Sequence, residues 1–203
     1  MLDAITRPLK NQILAPLAKP LGKVNPNFIS LLGFVTGAYT GWLAYQQAYF
    51  FAFLMWGISR TLDGFDGVVA RMHHKQSDFG GYLDILLDFI VYILVPVGIA
   101  FATPTQPMLI ATLALISIFY VNAASWMYLS AILEKRAQGA AARAETTTVS
   151  MPAGLIGGSE TVLFYALFLL LPAYQIQLFW LMGVLVCIGI VQRLLWAARK
   201  LET

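Results

Sequence analysis

The sequence predicts an all-α, polytopic membrane protein with six transmembrane helices and an interfacial helix at its N-terminus. Two observations on composition support this class: 59% of the 203 residues are hydrophobic, and only 11% are charged. A soluble domain is about 25% charged, so this chain cannot cover a globular surface with charge. A third observation is that the apolar residues form six runs of 18 or more residues. Each run is close to the length of about 20 helical residues that crosses a hydrocarbon core. The composition also excludes intrinsic disorder, which requires low hydrophobicity.

The six runs follow one another with short connections, and we treat residues 1–203 as a single membrane domain. Pro104, Pro107 and Pro172 lie between runs, where a residue without a backbone N–H interrupts no helix. The predicted spans extend from Ile29 to Gln46, from Tyr49 to Met72, from Gly80 to Ala102, from Met108 to Leu133, from Gly154 to Leu171 and from Gln177 to Ala198.

The basic residues predict how the chain is oriented in the membrane. Lys and Arg precede the first span and follow the second, fourth and sixth, whereas the alternate connections at 46–49, 103–107 and 172–177 contain none. Because cytoplasmic loops carry the excess of positive charge, we expect both termini on the cytoplasmic side of a cell inner (cytoplasmic) membrane. The net charge of +3 is explained by this topology, so we expect no nucleic-acid partner.

Two polar regions lie outside the spans. Residues 1–25 combine charges and three prolines with a moderately apolar stretch, which predicts an interfacial helix on the cytoplasmic face. Residues 135–152 are the longest polar stretch between spans and are predicted to form a cytoplasmic loop. We interpret Arg136, Arg143 and Arg193 as topological anchors, with phosphate binding as the alternative.

Four carboxylates interrupt the apolar pattern of the second and third spans. Asp63 and Asp66 are three residues apart, and Asp84 and Asp88 are four apart, so each pair shares one helical face. Each ionised carboxylate in a membrane helix costs about 2.5–3.5 kcal/mol unless it is paired or binds a cation. Oxygen ligands without His or Cys favour Mg²⁺, Mn²⁺ or Ca²⁺ over zinc. Two such cations would balance the four charges.

Small residues and one arginine accompany the acids. Gly67 and Ala70 lie one and two turns after Asp63, and Gly80 lies one turn before Asp84, so the acidic face is otherwise nearly bare. Arg71 follows at the predicted cytoplasmic end of the second span and can form bidentate hydrogen bonds to a phosphate. Acids for metals, space for a bulky group and an arginine for phosphate predict metal-assisted phosphoryl transfer on a nucleotide-bearing substrate.

The spacing of these residues resembles the signature of the CDP-alcohol phosphatidyltransferases at all eight fixed positions. Residues 26–30, Pro-Asn-Phe-Ile-Ser, are similar to the sequence with which the family's first span begins, and the chain has the family's usual size. The resemblance covers most of the chain, and its specific part is the pattern Asp63-x2-Asp66-Gly67-x2-Ala70-Arg71-x8-Gly80-x3-Asp84-x3-Asp88.

The resemblance implies a role for each matching residue. Asp63, Asp66 and Asp84 match the family's metal ligands, and Asp88 matches the fourth acid, which touches a metal and serves as general base. The remaining matches concern the CDP-linked donor. Contacts to this donor are implied for Gly67, Arg71, Ser77, Asn27 and Ser30, and space for its cytidine beside Ala70 and Gly80.

The resemblance also implies the reaction and its partners. The acceptor alcohol attacks the lipid-side phosphorus of CDP-diacylglycerol in the membrane, CMP leaves, and a phospholipid with a new head group forms. Two Mg²⁺ or Mn²⁺ ions are the implied cofactors, and a homodimer is the implied assembly. Glycerol 3-phosphate, an inositol species, serine and phosphatidylglycerol all stay open as the acceptor.

Other functions are compatible with acids in membrane helices. A CDP-linked polar alcohol could donate to diacylglycerol through the same motif. Membrane prenyltransferases also bind diphosphates through acids and Mg²⁺, but they are longer and have two separated Asp-rich motifs. A divalent-cation transporter would use the acids but gives no role to Arg71 or to the bare glycine face.

Two further charged residues have open interpretations. Arg60 lies one turn before Asp63 and could bind an anionic acceptor or pair with one of the acids. Glu160 lies near the predicted start of the fifth span. It could shape the acceptor pocket or cap the helix N-terminus, where negative charge is favourable.

Overall fold

The computed structural model describes residues 13–136, 138 and 154–201, and all the regular elements in these ranges are helices. Six long helices follow one another in the order of the six predicted spans. Two short 3₁₀ helices, Lys19–Leu21 and Pro172–Tyr174, precede the first and the last of them. The long helices are α1 (Pro26–Tyr45), α2 (Tyr49–Met72), α3 (Asp78–Ala102), α4 (Gln106–Lys135), α5 (Gly158–Leu170) and α6 (Gln175–Leu201).

Polar caps determine where three of the helices begin. The side chains of Asn25, Ser77 and Thr105 accept hydrogen bonds from backbone N–H groups in the first turns of α1, α3 and α4. These caps satisfy donors that have no partner within the helix. The helices therefore begin two or three residues before the apolar runs that predicted them. In contrast, α5 begins four residues later than predicted, because Gly154 and Gly157 favour irregular backbone.

Four helices are long and apolar enough to cross a membrane: α1, α3, α4 and α6 together with the Pro172–Tyr174 turn. Within the described ranges the structure therefore supports four of the six predicted spans, and the count of six stays a prediction. Helix α5 has only 13 residues. Helix α2 carries Arg60, Asp63, Asp66 and Arg71, which reduce its hydropathy.

The two predicted polar regions are described only in part. In the N-terminal region, residues 13–18 are helical, and Leu14 and Ala18 pack against Ile29, Val68 and Val69. His73 Nε2 lies 2.9 Å from the carbonyl oxygen of Ala18. The N-terminal segment therefore packs against the end of α2 that follows the acids. Residues 1–12 and most of the predicted loop 135–152, including Arg143, lie outside the described residues.

Close packing around α1 determines where the acidic helices lie. Helix α1 contacts both α2 and α3, and α5 packs against α2 while α4 packs against α6. A Cβ atom at Gly37 would lie 2.7 Å from a methyl group of Val91 and 2.9 Å from Ser59 Oγ. A Cβ atom at Gly98 would overlap the carbonyl oxygen of Gly41. Glycine at these positions lets the backbones approach closely, as is common between membrane helices.

Substitution of Gly98 by alanine tests this close approach. We expect Gly98→Ala to destabilise the protein by about 1–3 kcal/mol, because the added methyl group must displace the backbone of α1. The matched control is Gly57→Ala, since a Cβ atom there meets no other atom within 4 Å and alanine favours the helix. Thermal unfolding of both variants in detergent measures the effect. Equal midpoints for the two variants would contradict the packing.

Candidate active site

Three helices bring the acidic residues to one cavity. Asp63 comes from α2, and Asp84 and Asp88 come from α3, while α1 supplies Ser30 and Gly33 to the same wall. The spacing of the acids predicted that the two pairs would share a site, and the structure brings three of the four carboxylates together. The complete lining is Ser30, Gly33, Phe34, Arg60, Asp63, Asp84, Leu87, Asp88 and Val91.

The fourth acid, Asp66, is held by α1. Its side chain is buried, and its Oδ2 accepts a hydrogen bond of 2.5 Å from Ser30 Oγ. Short hydrogen bonds to ionised groups are roughly twice as strong as those between neutral groups. Ser30, which the resemblance assigned to the donor, therefore positions an acid of the site in this structure.

Arg60 supplies a positive charge to the lining of the cavity. Its Nη1 donates a 2.6 Å hydrogen bond to Asp88 Oδ1 and lies 3.7 Å from Asp63 Oδ1. Its Nη2 donates to Ser59 Oγ at 3.1 Å. Of the two interpretations of Arg60, the pairing with an acid is the one observed here. The ion pair also compensates charges that would otherwise be costly inside a membrane helix.

An aromatic shell surrounds this arginine. Arg60 Cζ lies 4.8 Å from the ring centroid of Trp56 and 5.5 Å from that of Tyr92. Tyr165, from α5, stacks on Trp56 at 5.1 Å and donates a hydrogen bond to the carbonyl oxygen of Tyr92. Sequence reasoning missed this shell. Helical spacing could have revealed two of its members, because Trp56 lies four residues before Arg60 and Tyr92 lies four residues after Asp88. No such spacing relates Tyr165 to the site.

The carboxylates are near one another but are not assembled as a metal cage. Among the described residues, no three His, Cys, Asp or Glu side chains are grouped closely enough to hold a metal ion. The chemistry of the donor set nevertheless fits a hard divalent cation, because the cavity presents carboxylate oxygens from Asp63, Asp84 and Asp88. Arg60 provides the compensating positive charge in the structure as it stands.

The residues that the resemblance assigned to the donor form two groups. On α2, the Arg71 guanidinium lies against Gly67, where a Cβ atom would be 3.1 Å from its Nη1; Ala70 is half-buried on the same helix. Between α1 and α3, a Cβ atom at Gly80 would lie 3.1 Å from both Asn27 Oδ1 and Ser77 Oγ. A Cβ atom at either glycine would therefore be in tight contact with these side chains, which would have to shift by a few tenths of an ångström to admit it.

Comparison with known proteins identifies the chain's family. The sequence profile of the CDP-alcohol phosphatidyltransferases matches residues 23–193. The chain belongs to this family. It is accordingly an enzyme, a transferase of phospholipid biosynthesis. It is 33% identical to inner membrane protein YnjF of Escherichia coli over 174 residues, which are 83% of this chain and 79% of that protein. Together with the four apolar helices, this relationship makes the chain an integral membrane protein.

Solved structures share the fold of this transferase. The phosphatidylinositol phosphate synthase PgsA1 of Mycobacterium tuberculosis with CDP-DAG bound superposes with a TM-score of 0.69 at 24% identity, covering 90% of this chain and 92% of that one. The same protein in complex with manganese and citrate gives 0.70 at 21% identity, covering 89% and 87%. The arrangement of helices is therefore that of these synthases.

Two charged residues outside the cavity have observed roles. Glu160 Oε2 accepts a hydrogen bond of 3.1 Å from the backbone N–H of Gly157, which confirms that it caps α5. Arg193, which the charge pattern grouped with the topological anchors, is buried. Its Nη1 donates to Asn122 Oδ1 at 3.0 Å and to Ser125 Oγ at 3.3 Å, so it links α6 to α4.

Removal of the Ser30 hydroxyl tests its hold on Asp66. We expect Ser30→Ala to destabilise the protein by about 1.5–3 kcal/mol, the usual range for hydrogen bonds to charged groups. The control is Thr40→Val on the same helix, because the buried Thr40 hydroxyl donates only to the backbone oxygen of Thr36. Thermal unfolding in detergent compares the two. A smaller loss for Ser30→Ala than for Thr40→Val would argue against the charged hydrogen bond.

Proposed function

We propose that this enzyme transfers a phosphatidyl group from CDP-diacylglycerol to a polar acceptor alcohol and releases CMP. The observation that carries the proposal is the convergence of Asp63, Asp84 and Asp88 on one cavity within the segment that the family profile matches. The CDP-DAG bound to a protein of the same fold supports the choice of donor.

Divalent cations complete the proposed site. Asp63, Asp66, Asp84 and Asp88 would hold two of them, and the manganese complex of PgsA1 supports Mn²⁺ or Mg²⁺. When bound, such cations stabilise the negative charge of the diphosphate and of the leaving CMP. Site assembly requires the acids to exchange their present partners for the cations, because Ser30 and Arg60 hold Asp66 and Asp88 in this structure.

The side chains on the donor side bind and orient the nucleotide. Arg71 can hold a phosphate through two parallel hydrogen bonds, and Gly67, Ala70 and Gly80 leave room for the cytidine. Asn27, Ser30 and Ser77 supply further polar contacts to the donor. Asn27 Oδ1 and Ser77 Oγ would each lie 3.1 Å from a Cβ atom at Gly80, and this nearness to one glycine supports a common role for them beside the donor.

Asp88 acts as the general base in this proposal. It takes the proton of the acceptor hydroxyl, whose oxygen then bonds to the lipid-side phosphorus of the donor. The bond from that phosphorus to the bridging oxygen breaks, and CMP leaves with the electron pair. A positioned base contributes about 10²- to 10⁴-fold to such a step.

Membrane placement follows from the substrates. The donor carries two acyl chains, and each methylene that leaves the bilayer costs about 0.8 kcal/mol, so the donor must reach the site from within the membrane. We propose that the polar acceptor enters from the cytoplasmic side. Both termini are on that side in this proposal, and the protein is a homodimer of the cytoplasmic membrane.

The acceptors to be tested begin with inositol phosphate, because the structures of similar fold belong to a phosphatidylinositol phosphate synthase.

Release of CMP tests the reaction directly. Detergent-purified protein is given CDP-diacylglycerol, Mn²⁺ or Mg²⁺, and separately inositol phosphate, glycerol 3-phosphate, serine or phosphatidylglycerol. We expect one acceptor to give CMP and one new phospholipid in equal amounts, and we expect EDTA to abolish both. Mass spectrometry identifies the lipid. CMP release only from a CDP-linked polar alcohol with diacylglycerol would reverse the assigned donor, and cation flux without nucleotide turnover would make the protein a transporter.

Substitution of Asp88 tests the proposed base. We expect Asp88→Asn to reduce turnover by about 10²- to 10⁴-fold, since an amide cannot accept the proton, while the affinity for the donor is retained. The control is Asp78→Asn, which removes an exposed carboxylate from the first turn of the same helix. Single-turnover CMP release and donor binding are measured for both variants. Full turnover in Asp88→Asn would exclude the assignment.

A further inference from the structure

We propose that Arg60 is an internal counter-cation that competes with divalent cations for Asp88 and thereby sets the metal affinity of the site. This inference rests on the proposed function only in that the cavity binds divalent cations. It assigns a role to a residue that lies outside the eight-residue motif.

The contact geometry places Arg60 against two of the carboxylates that would hold a metal ion in the proposed site. Its Nη1 is 2.6 Å from Asp88 Oδ1, a charge-assisted hydrogen bond, and 3.7 Å from Asp63 Oδ1. One guanidinium therefore interacts with one carboxylate of each acidic helix. A cation on either carboxylate would face a like charge at close range, and like charges repel strongly where water is excluded.

The surroundings of Arg60 hold it in this position. The residue is 9% exposed, Ser59 Oγ accepts from its Nη2, and the rings of Trp56 and Tyr92 lie within 6 Å of its Cζ. Its Nε is buried without a hydrogen-bond partner among the described residues, so the guanidinium is only partly satisfied where it lies. The contacts with Ser59, Trp56 and Tyr92 keep the guanidinium beside the acids. Its unsatisfied Nε lowers the cost of displacing it from Asp88.

The arrangement of the acids agrees with competition. Asp63 and Asp88 with Arg60 leave one net negative charge in place of two, and no three acids of the described chain are grouped to hold a metal. In the absence of metal, Arg60 lowers the cost of keeping carboxylates in membrane helices. The same pairing must be given up, at least at Asp88, when a divalent cation binds there.

The chain provides a matched control for the loss of a buried positive charge. Arg193 is also buried, at 5% exposure, but the partners observed for its Nη1 are the neutral side chains of Asn122 and Ser125. If the loss of any buried positive charge changed metal binding, substitution of either arginine would change it to the same extent. A competitive effect would be specific to Arg60.

Equilibrium binding of Mn²⁺ tests the inference without relying on turnover. Full-length protein is purified in detergent, stripped with EDTA and titrated with Mn²⁺, and free Mn²⁺ is measured by electron paramagnetic resonance. We expect Arg60→Gln to bind Mn²⁺ at least about fivefold more tightly than the wild type, the lower end of ordinary coupling between two ligands. Arg193→Gln should match the wild type. Thermal unfolding should show that metal-free Arg60→Gln is less stable than the wild type and gains more from Mn²⁺.

The outcomes separate this inference from the proposed function. If the wild type binds Mn²⁺ and Arg60→Gln binds it equally or more weakly, Arg60 does not compete and only the inference is overturned. If the wild type binds no Mn²⁺, the proposed metal site itself fails. Ser59→Ala keeps every charge but removes the acceptor of Arg60 Nη2, so it should also tighten Mn²⁺ binding. This second variant decides the question if Arg60→Gln does not fold.

Discussion

Carboxylates within apolar helices must find a compensating charge or hydrogen-bond donor, and the structure around the cavity is organised by this requirement. An uncompensated carboxylate at membrane depth costs several kcal/mol. Asp88 and Asp63 are compensated by Arg60, and Asp66 is compensated by Ser30. The acids and their partners together come from three helices, so the acids themselves help to specify how α1, α2 and α3 assemble.

The glycines of α1 make this compensation possible. Gly37 and Gly41 allow α1 to approach Ser59, Val91 and Leu94 more closely than any side chain would permit. At that distance Ser59 Oγ can donate to the carbonyl oxygen of Gly33 at 2.7 Å while it accepts from Arg60. The close packing of α1 against α2 and the orientation of the Arg60 side chain therefore both depend on the Ser59 hydroxyl.

If the proposed cations bind at these acids, the arrangement lets the protein remain folded with and without them. An active site built from like charges is unstable when its cations are absent, and binding of a ligand to the folded state stabilises that state. In this chain an arginine supplies the missing positive charge, and aromatic rings from α2, α3 and α5 hold it. In the proposed site, metal binding would compete with this ion pair and would thereby couple the stability of the metal-free protein to the metal affinity of the site.

Much of the fold could be predicted from local sequence patterns. The six helices, their order and the pairs of acids along α2 and α3 all follow from helical periodicity, although Asp66 bonds to Ser30 and does not line the cavity with the other three acids. The predicted ends differ from the observed ones by no more than four residues, because polar caps and glycines lie outside the apolar pattern. The eight spaced motif residues were likewise sufficient to indicate the family, because the spacing of residues on two adjoining helices is a local property of the sequence.

Contacts between distant segments could not be read in this way. The interpretation of Arg60 stayed open because its partner Asp88 is 28 residues away, and no periodicity specifies which of four acids an arginine will meet. Arg193 was grouped with surface charges because its neutral partners lie on α4, about 70 residues earlier. The sequence by itself determined the helices, their order and the positions of the acids along two of them. The tertiary structure alone decided which acid pairs with which partner, because pairing depends on how closely helices pack and therefore on the glycines that face each other across them.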